Sequence, residues 1–238
     1  MSETLPIPSI PRQRGRVVVA ESVWIPEWID DLESFRRWAD SPDFPDDGRI
    51  SYLEGEIWVD VSMEQLFTHN AVKSELARVL HGLAKTDRQG YFFTDGVRLS
   101  HLAAELSTVP DGLFVSNLGL DAGRVEIRSG RVHGHTEIVG SPDVVIEIVS
   151  DSSVEKDTHH LPQLYHRANI TEYWLIDART PTVSFTIGTR TSDAYARPGT
   201  DWQSSAIFAR EFRFVQETDP RGYPDLTLET RLANSPES

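Results

Sequence analysis

Two carboxylates stand where a folded chain tolerates them poorly. Glu147 interrupts the β-branched run Val144 to Val149, and Asp111 follows Pro110 just ahead of the apolar run Leu113 to Val115. A short apolar run bounded by turn residues reads as a strand buried on both faces. An ionised group there is costly unless it is paired, hydrogen-bonded or bound to a metal. Strand alternation puts Asp143, Val145, Glu147 and Val149 on one face and Ile146, Ile148 and Ser150 on the other. Asp143 and Glu147 are then roughly 13 Å apart at strand rise, too far to share one ion. Glu147 therefore needs a partner from a neighbouring strand, and Asp111 is the candidate. Two such carboxylates with few other charges nearby make a hard oxygen site suited to Mg²⁺ or Mn²⁺. Each acid can instead do no more than cap or start its strand, and from the residues alone both readings stand.

The basic residues that could serve such a pair come from helices. Gln65 to Lys85 carries Val72, Leu76, Leu80 and Leu83 on one face at helical spacing. His69 and Lys73 lie one turn apart near its start, so both can face a cleft and meet a phosphate. His69 can equally be a satisfied polar residue at the core edge. After the Glu147 strand comes a second helix, placed between Asp157 and Arg167. Asp157 is a plausible N-cap, with Ser152-Ser-Val-Glu155 an alternative capping box. Pro162 is tolerated without a kink only in a first turn and favours the later start. That start leaves Lys156 in a loop beside the end of the Glu147 strand.

These features resemble a known family. Pro110-Asp111 before an apolar strand, Pro142-Asp143 followed by Glu147 and Ser150, a helix ending in Tyr165 and the run Glu172-Tyr-Trp-Leu-Ile-Asp177 resemble the Uma2 family. That family is in turn similar to PD-(D/E)xK nucleases of the restriction-endonuclease-like fold. The resemblance spans about Ile50 to Asp177, and Ser141 to Asp177 is its most specific part. It implies an α/β domain, a mixed sheet flanked by helices with a restriction-endonuclease-like core. It also implies Asp111 as the first metal-binding acid, Glu147 as the second and the Ile148 carbonyl as a further ligand. Glu54, in an acid-Gly-acid hairpin, is either an auxiliary acid or a solvated turn residue. His69 matches the family's His at the head of its helix. One departure stands out. Val149 occupies the place of the motif Lys, and Leu161 the helix position where relatives carry one. Of the basic residues left nearby, Lys156 is the first choice for the missing role and His159 the second, with His160 beside them.

Composition sets the frame. The chain has 238 residues, 39% of them hydrophobic and 25% charged, as an ordinary globular domain has. Three parts are expected: an extended, proline-marked arm over residues 1–25, one domain over 26–230 and a frayed tail over 231–238. There is no cysteine, which removes disulfides and thiolate metal sites. No stretch has the length of a membrane span or a signal peptide, which makes the cytoplasm the expected location. A net charge of −14 argues against a protein that coats itself in nucleic acid, yet it allows a small positive groove.

Shorter elements complete the outline. Asp30 to Trp38 reads as a helix, Ile50 to Val61 as a hairpin turning at Glu54-Gly55, and Gly90 to Ser100 as two strands about an Asp95-Gly96 turn. Asn117 to His135 reads as a loop with a short strand fragment. Thr182 to Ile187 reads as the antiparallel partner of Tyr173 to Ile176, and Ser205 to Val215 as one or two strands.

The chemistry expected is metal-dependent hydrolysis of phosphodiester bonds in nucleic acid. The alternative is a catalytically degenerate relative acting as a binding or assembly module. A sugar or acyl hydrolase is disfavoured, since no G-x-S-x-G elbow occurs. Pairing as a homodimer is expected from the resemblance, with Trp24, Trp28, Phe212 and Phe214 as interface candidates.

Overall fold

The computed structural model describes residues 23–45, 48–130, 134–199 and 201–233. The first helix, α1 (Leu32–Ala39), starts at Asp31, whose side chain accepts the Ser34 N–H in a capping box. Strands β1 (Arg49–Leu53) and β2 (Glu56–Asp60) form the expected hairpin. Glu54 and Gly55 have φ of 50° and 91°, as a two-residue turn of this hand requires. A long helix, α2 (66–86), follows and leads to β3 (Gly90–Thr94), β4 (Arg98–His101), β5 (Leu106–Thr108) and β6 (Gly112–Ser116). A short helix α3 (Asn117–Asp121) precedes β7 (Val125–Ser129), β8 (His135–Gly140) and β9 (Val144–Ile148). Helix α4 (154–167) then crosses to β10 (Glu172–Asp177). The chain ends with β11 (Ser184–Arg190), β12 (Tyr195–Ala196), β13 (Gln203–Ser205), β14 (Arg210–Thr218) and β15 (Pro224–Leu232).

The strands form three sheets, ordered β2-β1-β5-β4-β8-β7, β12-β11-β10-β9-β6-β3 and β13-β14-β15. The second is central and mixed. Strand β9 pairs parallel with β10 and antiparallel with β6, and β10 pairs antiparallel with β11. Its central strands are largely apolar because both faces are covered, with Glu147 of β9 and Glu172 of β10 as buried exceptions. On one face Val144, Ile146, Ile148, Trp174 and Ile176 pack against Val72, Leu76 and Leu80 of α2 and against Phe212 and Leu228 of the third sheet. On the other, Leu113, Val115, Val145 and Tyr173 pack against Leu161, Leu164 and Tyr165 of α4 and Leu53, Leu99 and Leu106 of the first sheet. Each fully buried aliphatic side chain contributes about 1.5–3 kcal/mol. Glu147 belongs to the face that looks toward α4.

Several sequence expectations change here. Helix α4 begins at 154, so Lys156 lies within it and not in a loop. Ser153 closes that start: its hydroxyl accepts the Ser150 N–H at 2.9 Å and its carbonyl accepts the Asp157 N–H at 2.8 Å. Pro162 sits well inside α4, after a wide turn in which the Leu161 N–H reaches back five residues to the Lys156 carbonyl. Such a turn accommodates a residue that brings no N–H of its own. The Asp95-Gly96 turn has φ of 44° and 72°, yet β3 and β4 do not pair; the chain passes there from the central sheet to the first. The stretch expected as a loop over Asn117 to His135 holds α3 and β7, and β8 starts at its end. Of the frayed tail expected over 231–238, residues 231 and 232 belong to strand β15. Phe212 is fully buried and so cannot serve an interface, whereas Trp24 and Trp28 are exposed. The arm expected over 1–25 lies outside the described residues apart from 23–25.

Candidate active site

The register of β6 and β9 is what brings the two acids together. Gly112 faces Ile146 and Leu113 faces Val145, so one position further out Asp111 lies opposite Glu147. Directly facing residues of an antiparallel pair point to the same side. Both acids are buried, each 2% exposed. The Ile148 N–H, just past Glu147, donates to Asp111 Oδ2 at 2.8 Å and ties the two strand ends together.

Asp111 is ringed by basic side chains. Arg49 Nη1 donates to its Oδ1 at 3.0 Å, His69 Nε2 lies 3.4 Å from Oδ2, and Lys73 Nζ is 3.8 Å from Oδ1. Burial alone would raise its pKa. His69, Arg49 and the Ile148 N–H outweigh burial and hold it down at about 2. Glu147 moves the other way. Burial pushes its pKa well up, the charges of Asp157 and Asp111 push further, and Lys156 pulls against them. Its Oε1 accepts a hydrogen bond from the Tyr165 hydroxyl at 2.5 Å.

Lys156 packs against its neighbour Asp157 and acts on Glu147 through its charge. Its side chain is 11% exposed, and its Nζ is 3.5 Å from Asp157 Oδ1. Burial would lower its pKa, but Glu147, Asp157 and Asp111 together raise it, so it is a fixed positive charge. Asp157 is itself pushed up to about 6, first by burial and then by Asp111, against Lys156 and a hydrogen bond from Ser153.

A second layer closes over Asp111 from the cleft side. Arg49 comes from β1, Lys73 from α2, Glu64 from the segment between β2 and α2, and Asp95 from the turn after β3. Both Arg49 and Lys73 pair with Glu64. Lys73 Nζ also donates to Asp95 Oδ2 at 2.7 Å, and Arg49 Nη2 lies 3.3 Å from the same oxygen. The cleft beside them, about 190 Å³, is lined by Arg49, Asp60, Glu64, His69 and Ser150. A neighbouring one of about 330 Å³ shares Ser62, Met63, His69 and Ser150 and extends to Arg179.

Of the residues expected from sequence, Asp111, Glu147, Ile148, Lys156, His69 and Lys73 converge. Two do not. Glu54 sits at the hairpin tip, half exposed, in an ion pair with Arg167 at 2.6 Å. His159 is exposed on α4, with its Nδ1 2.7 Å from Thr158 Oγ1. Leu161 and Val149, at the two places where a motif Lys could stand, are buried in the core. His69 and Lys156 both fall in wide helical turns with bonds between residues five apart, Asn70 N–H to Gln65 O and Leu161 N–H to Lys156 O. Irregular turns of this kind re-aim side chains and recur at functional sites.

The residues present fit a divalent ion. Glu64, His69 and Asp111 each offer a ligand atom, and these atoms lie within 4.8 Å of one another. Metal–oxygen bonds of about 2.0–2.2 Å bring ligand atoms to a little over 4 Å across an ion. His69 Nδ1 is buried without a hydrogen-bond partner, so one donor of the set stands idle. Glu147 lies outside this group of three and is held by Tyr165.

Arg49, Glu64, Asp95, Asp157 and Tyr165 were not singled out as site residues in the sequence. Glu64 is the one acid between the β2 and α2 patterns, a usable signal. Arg49 and Asp95 carry no such mark, since one opens a strand and the other sits in an Asp-Gly turn.

Residues 32–214 match the family model Uma2, described as "Putative restriction endonuclease". A search of curated proteins returns no match. Among solved structures, the fold is similar to one titled a "putative nuclease belonging to DUF820" from Anabaena variabilis ATCC 29413. That match has a TM-score of 0.56 and 22% identity, and it covers 75% of this chain and 90% of the other.

Proposed function

We propose that this chain, which belongs to the Uma2 family, is a metal-dependent nuclease that hydrolyses phosphodiester bonds of nucleic acid at the Asp111–Glu147 site. The carrying observation is the facing pair itself. Two buried acids on adjoining strand ends have pKa values pushed apart, Asp111 held at about 2 and Glu147 raised. Such divergence marks groups given different tasks. Asp111, Glu64 and His69 would hold Mg²⁺ or Mn²⁺, with Glu147 and the Ile148 carbonyl as further ligands. When bound, the ion supplies Lewis acidity toward the scissile phosphate and lowers the pKa of water.

The chain's own residues do the rest. Lys156, buried against Asp157, takes the part of the motif Lys that Val149 cannot play: it orients the attacking water and faces charge that develops on the phosphate. Tyr165 holds Glu147 in one rotamer through its hydroxyl. Asp157 keeps Lys156 close. Arg49 and Lys73 bind the non-bridging phosphate oxygens, two cations at the cleft of a chain whose net charge is −14.

A second reading, a binding module that has lost cleavage, draws on Val149 and on the Arg49–Asp111 ion pair, which already satisfies the acid without a metal. Cleavage of supercoiled plasmid and of single-stranded DNA with Mg²⁺ or Mn²⁺ separates the two. Metal-dependent cutting that disappears in Lys156→Met supports the nuclease. Mn²⁺ binding without cutting supports the module.

A further inference from the structure

Arg49 and Lys73 do not simply line the site; they occupy it. Together they bridge three carboxylates, Glu64, Asp95 and Asp111. Glu64 and Asp111 are also two of the three residues able to share a divalent ion. The third, His69, lies between them, its ring nitrogens 3.5 Å from Glu64 Oε2 and 3.4 Å from Asp111 Oδ2. Its Nδ1 is buried and without a hydrogen-bond partner. Like charges a few ångströms apart repel by several kcal/mol at the effective dielectric of a protein surface. A dication among these ligands therefore cannot coexist with the ammonium and guanidinium where they now stand.

We propose that Arg49 and Lys73 are phosphate ligands held in reserve, which a divalent ion bound by Glu64, His69 and Asp111 displaces toward the phosphate, so that ion and phosphate bind cooperatively. The inference rests on the nuclease reading for the identity of the ligand, and it adds an order of events and a coupling. Three carboxylates against two cations leave one negative charge in excess, which repels phosphate. A dication turns that into one positive charge in excess, which attracts it. Asp95 has a separate part. It contacts both cations but is not in the ion-binding group, so it retains them at the mouth of the cleft after they leave Glu64 and Asp111. Side-chain exposures of 26% for Arg49 and 42% for Asp95 leave room for the guanidinium to shift, and Lys73, at 10%, already holds Asp95 at 2.7 Å.

The test is calorimetry on the full chain with Mn²⁺ and with thymidine 3′,5′-bisphosphate, which offers phosphate oxygens but no diester to cut. Each is titrated alone and at saturation of the other. The bisphosphate is expected to bind about tenfold tighter with Mn²⁺ present, and Mn²⁺ by the same factor with bisphosphate present, as linkage requires. In the Arg49→Met/Lys73→Met double variant Mn²⁺ should bind tighter than in wild type when alone, and the coupling should vanish. Asp95→Asn, which frees the cations without touching the ion ligands, should bind bisphosphate better in the absence of Mn²⁺ and so show weaker coupling. Should the double variant misfold, Arg49→Lys and Asp95→Asn carry the test, the former keeping most of the coupling. Equal Mn²⁺ affinity in wild type and double variant, or bisphosphate binding indifferent to Mn²⁺ in wild type, overturns the inference. Plasmid cleavage by the wild type tests the nuclease reading separately: coupling without cutting sinks that reading alone, and cutting without coupling sinks this one alone.

Discussion

The strand pair β6–β9 has a Pro-Asp dipeptide at each end, and the two ends are built alike. Asp111 precedes β6 and accepts the N–H of Ile148, at the end of β9, at 2.8 Å. Asp143 precedes β9 and accepts the N–H of Ser116, at the end of β6, at 2.7 Å. Each carboxylate takes its second bond from an arginine, Arg49 at 3.0 Å or Arg124 at 2.7 Å. Up to this point the two are the same device, an acid that ends a ladder whose last N–H would otherwise be orphaned. The surroundings differ. Around Asp143 the first turn of α3 closes in; a Cβ on Gly119 would lie 3.2 Å from its Oδ2. Around Asp111 stand His69, Lys73, Glu64, Asp95 and the facing Glu147, with a cleft beyond. A Pro-Asp at a strand start is thus a structural fitting, and chemistry depends on what is assembled round it.

Substitution at the two ends should separate these roles, with the largest effect at Asp111. Asp111→Asn keeps the Ile148 bond but loses the charge, and cleavage is expected to fall about a thousandfold, comparable to removing a principal electrostatic group from an active site. Asp143→Asn is expected to leave cleavage per folded molecule unchanged and to cost about 2 kcal/mol of stability through the lost charge-assisted bonds. Plasmid assays and urea melts on both variants read the two effects. Equal loss of cleavage at both ends would mean that the strand pair, and not the cluster, carries activity.

Glu147 sharpens the contrast, because it has no counterpart at the Asp143 end. Glu147→Gln keeps an acceptor for the Tyr165 hydroxyl while removing a carboxyl whose ionised form burial, Asp157 and Asp111 oppose. Cleavage is expected to drop about a hundredfold, as for loss of one electrostatic contributor. In the same variant, the metal-free protein should be about 1 kcal/mol more stable, the usual trade of stability for function. Thermal melts in chelator check this; a lower Tm would show that Glu147 is a structural tie.

How far the sequence reaches can be argued from these residues. Asp111 and Glu147 were legible because a charge inside an apolar run is a misfit that only pairing explains, and strand alternation fixed which neighbours share a face. The long helix α2 was legible from its apolar spacing, and His69 and Lys73 came with it. Arg49, Glu64 and Asp95 were not, because residues 49, 64, 95 and 111 are joined only by sheet order, and sheet order depends on long-range pairing that no local pattern encodes. Asp95 misled further: Asp-Gly favours a hairpin turn, and it takes the turn conformation, but the strands on either side leave for different sheets. Pro162 favours a later helix start, which puts Lys156 in a loop, whereas it lies inside α4. The wide turn removes that conflict, and the Tyr173 hydroxyl donates to the Asp157 carbonyl within it at 2.6 Å, a contact no local pattern encodes.

A pH effect follows from the same crowding, again confined to the Asp111 end. Asp157 is raised to about 6 by burial and by Asp111. A carboxyl raised in the folded state favours folding below its ordinary pKa, near 4, and that contribution is lost as pH rises through 6. In chelator, Asp157→Asn should therefore flatten the fall in Tm between pH 4 and 6 and be the more stable protein above pH 6. The Ser153 hydroxyl still finds an acceptor on the amide oxygen. An unchanged slope would mean that Lys156 compensates Asp157 fully.

The smallest effect is expected at the second arginine. Arg124 is 39% exposed and its partner Asp143 keeps the Ser116 N–H, so Arg124→Gln should cost less than about 1 kcal/mol, the range of exposed ion pairs. Arg49→Gln, its counterpart, removes a cation that three carboxylates share, and in the metal-free protein it should cost more. In the presence of Mn²⁺ the ordering should narrow, since the ion takes over the charge that Arg49 balanced. Paired urea melts with and without Mn²⁺ measure that difference. If Arg49→Gln stays as destabilising with the ion as without it, the guanidinium is a fixed strut, and the two ends of the strand pair are more alike than the cluster around Asp111 suggests.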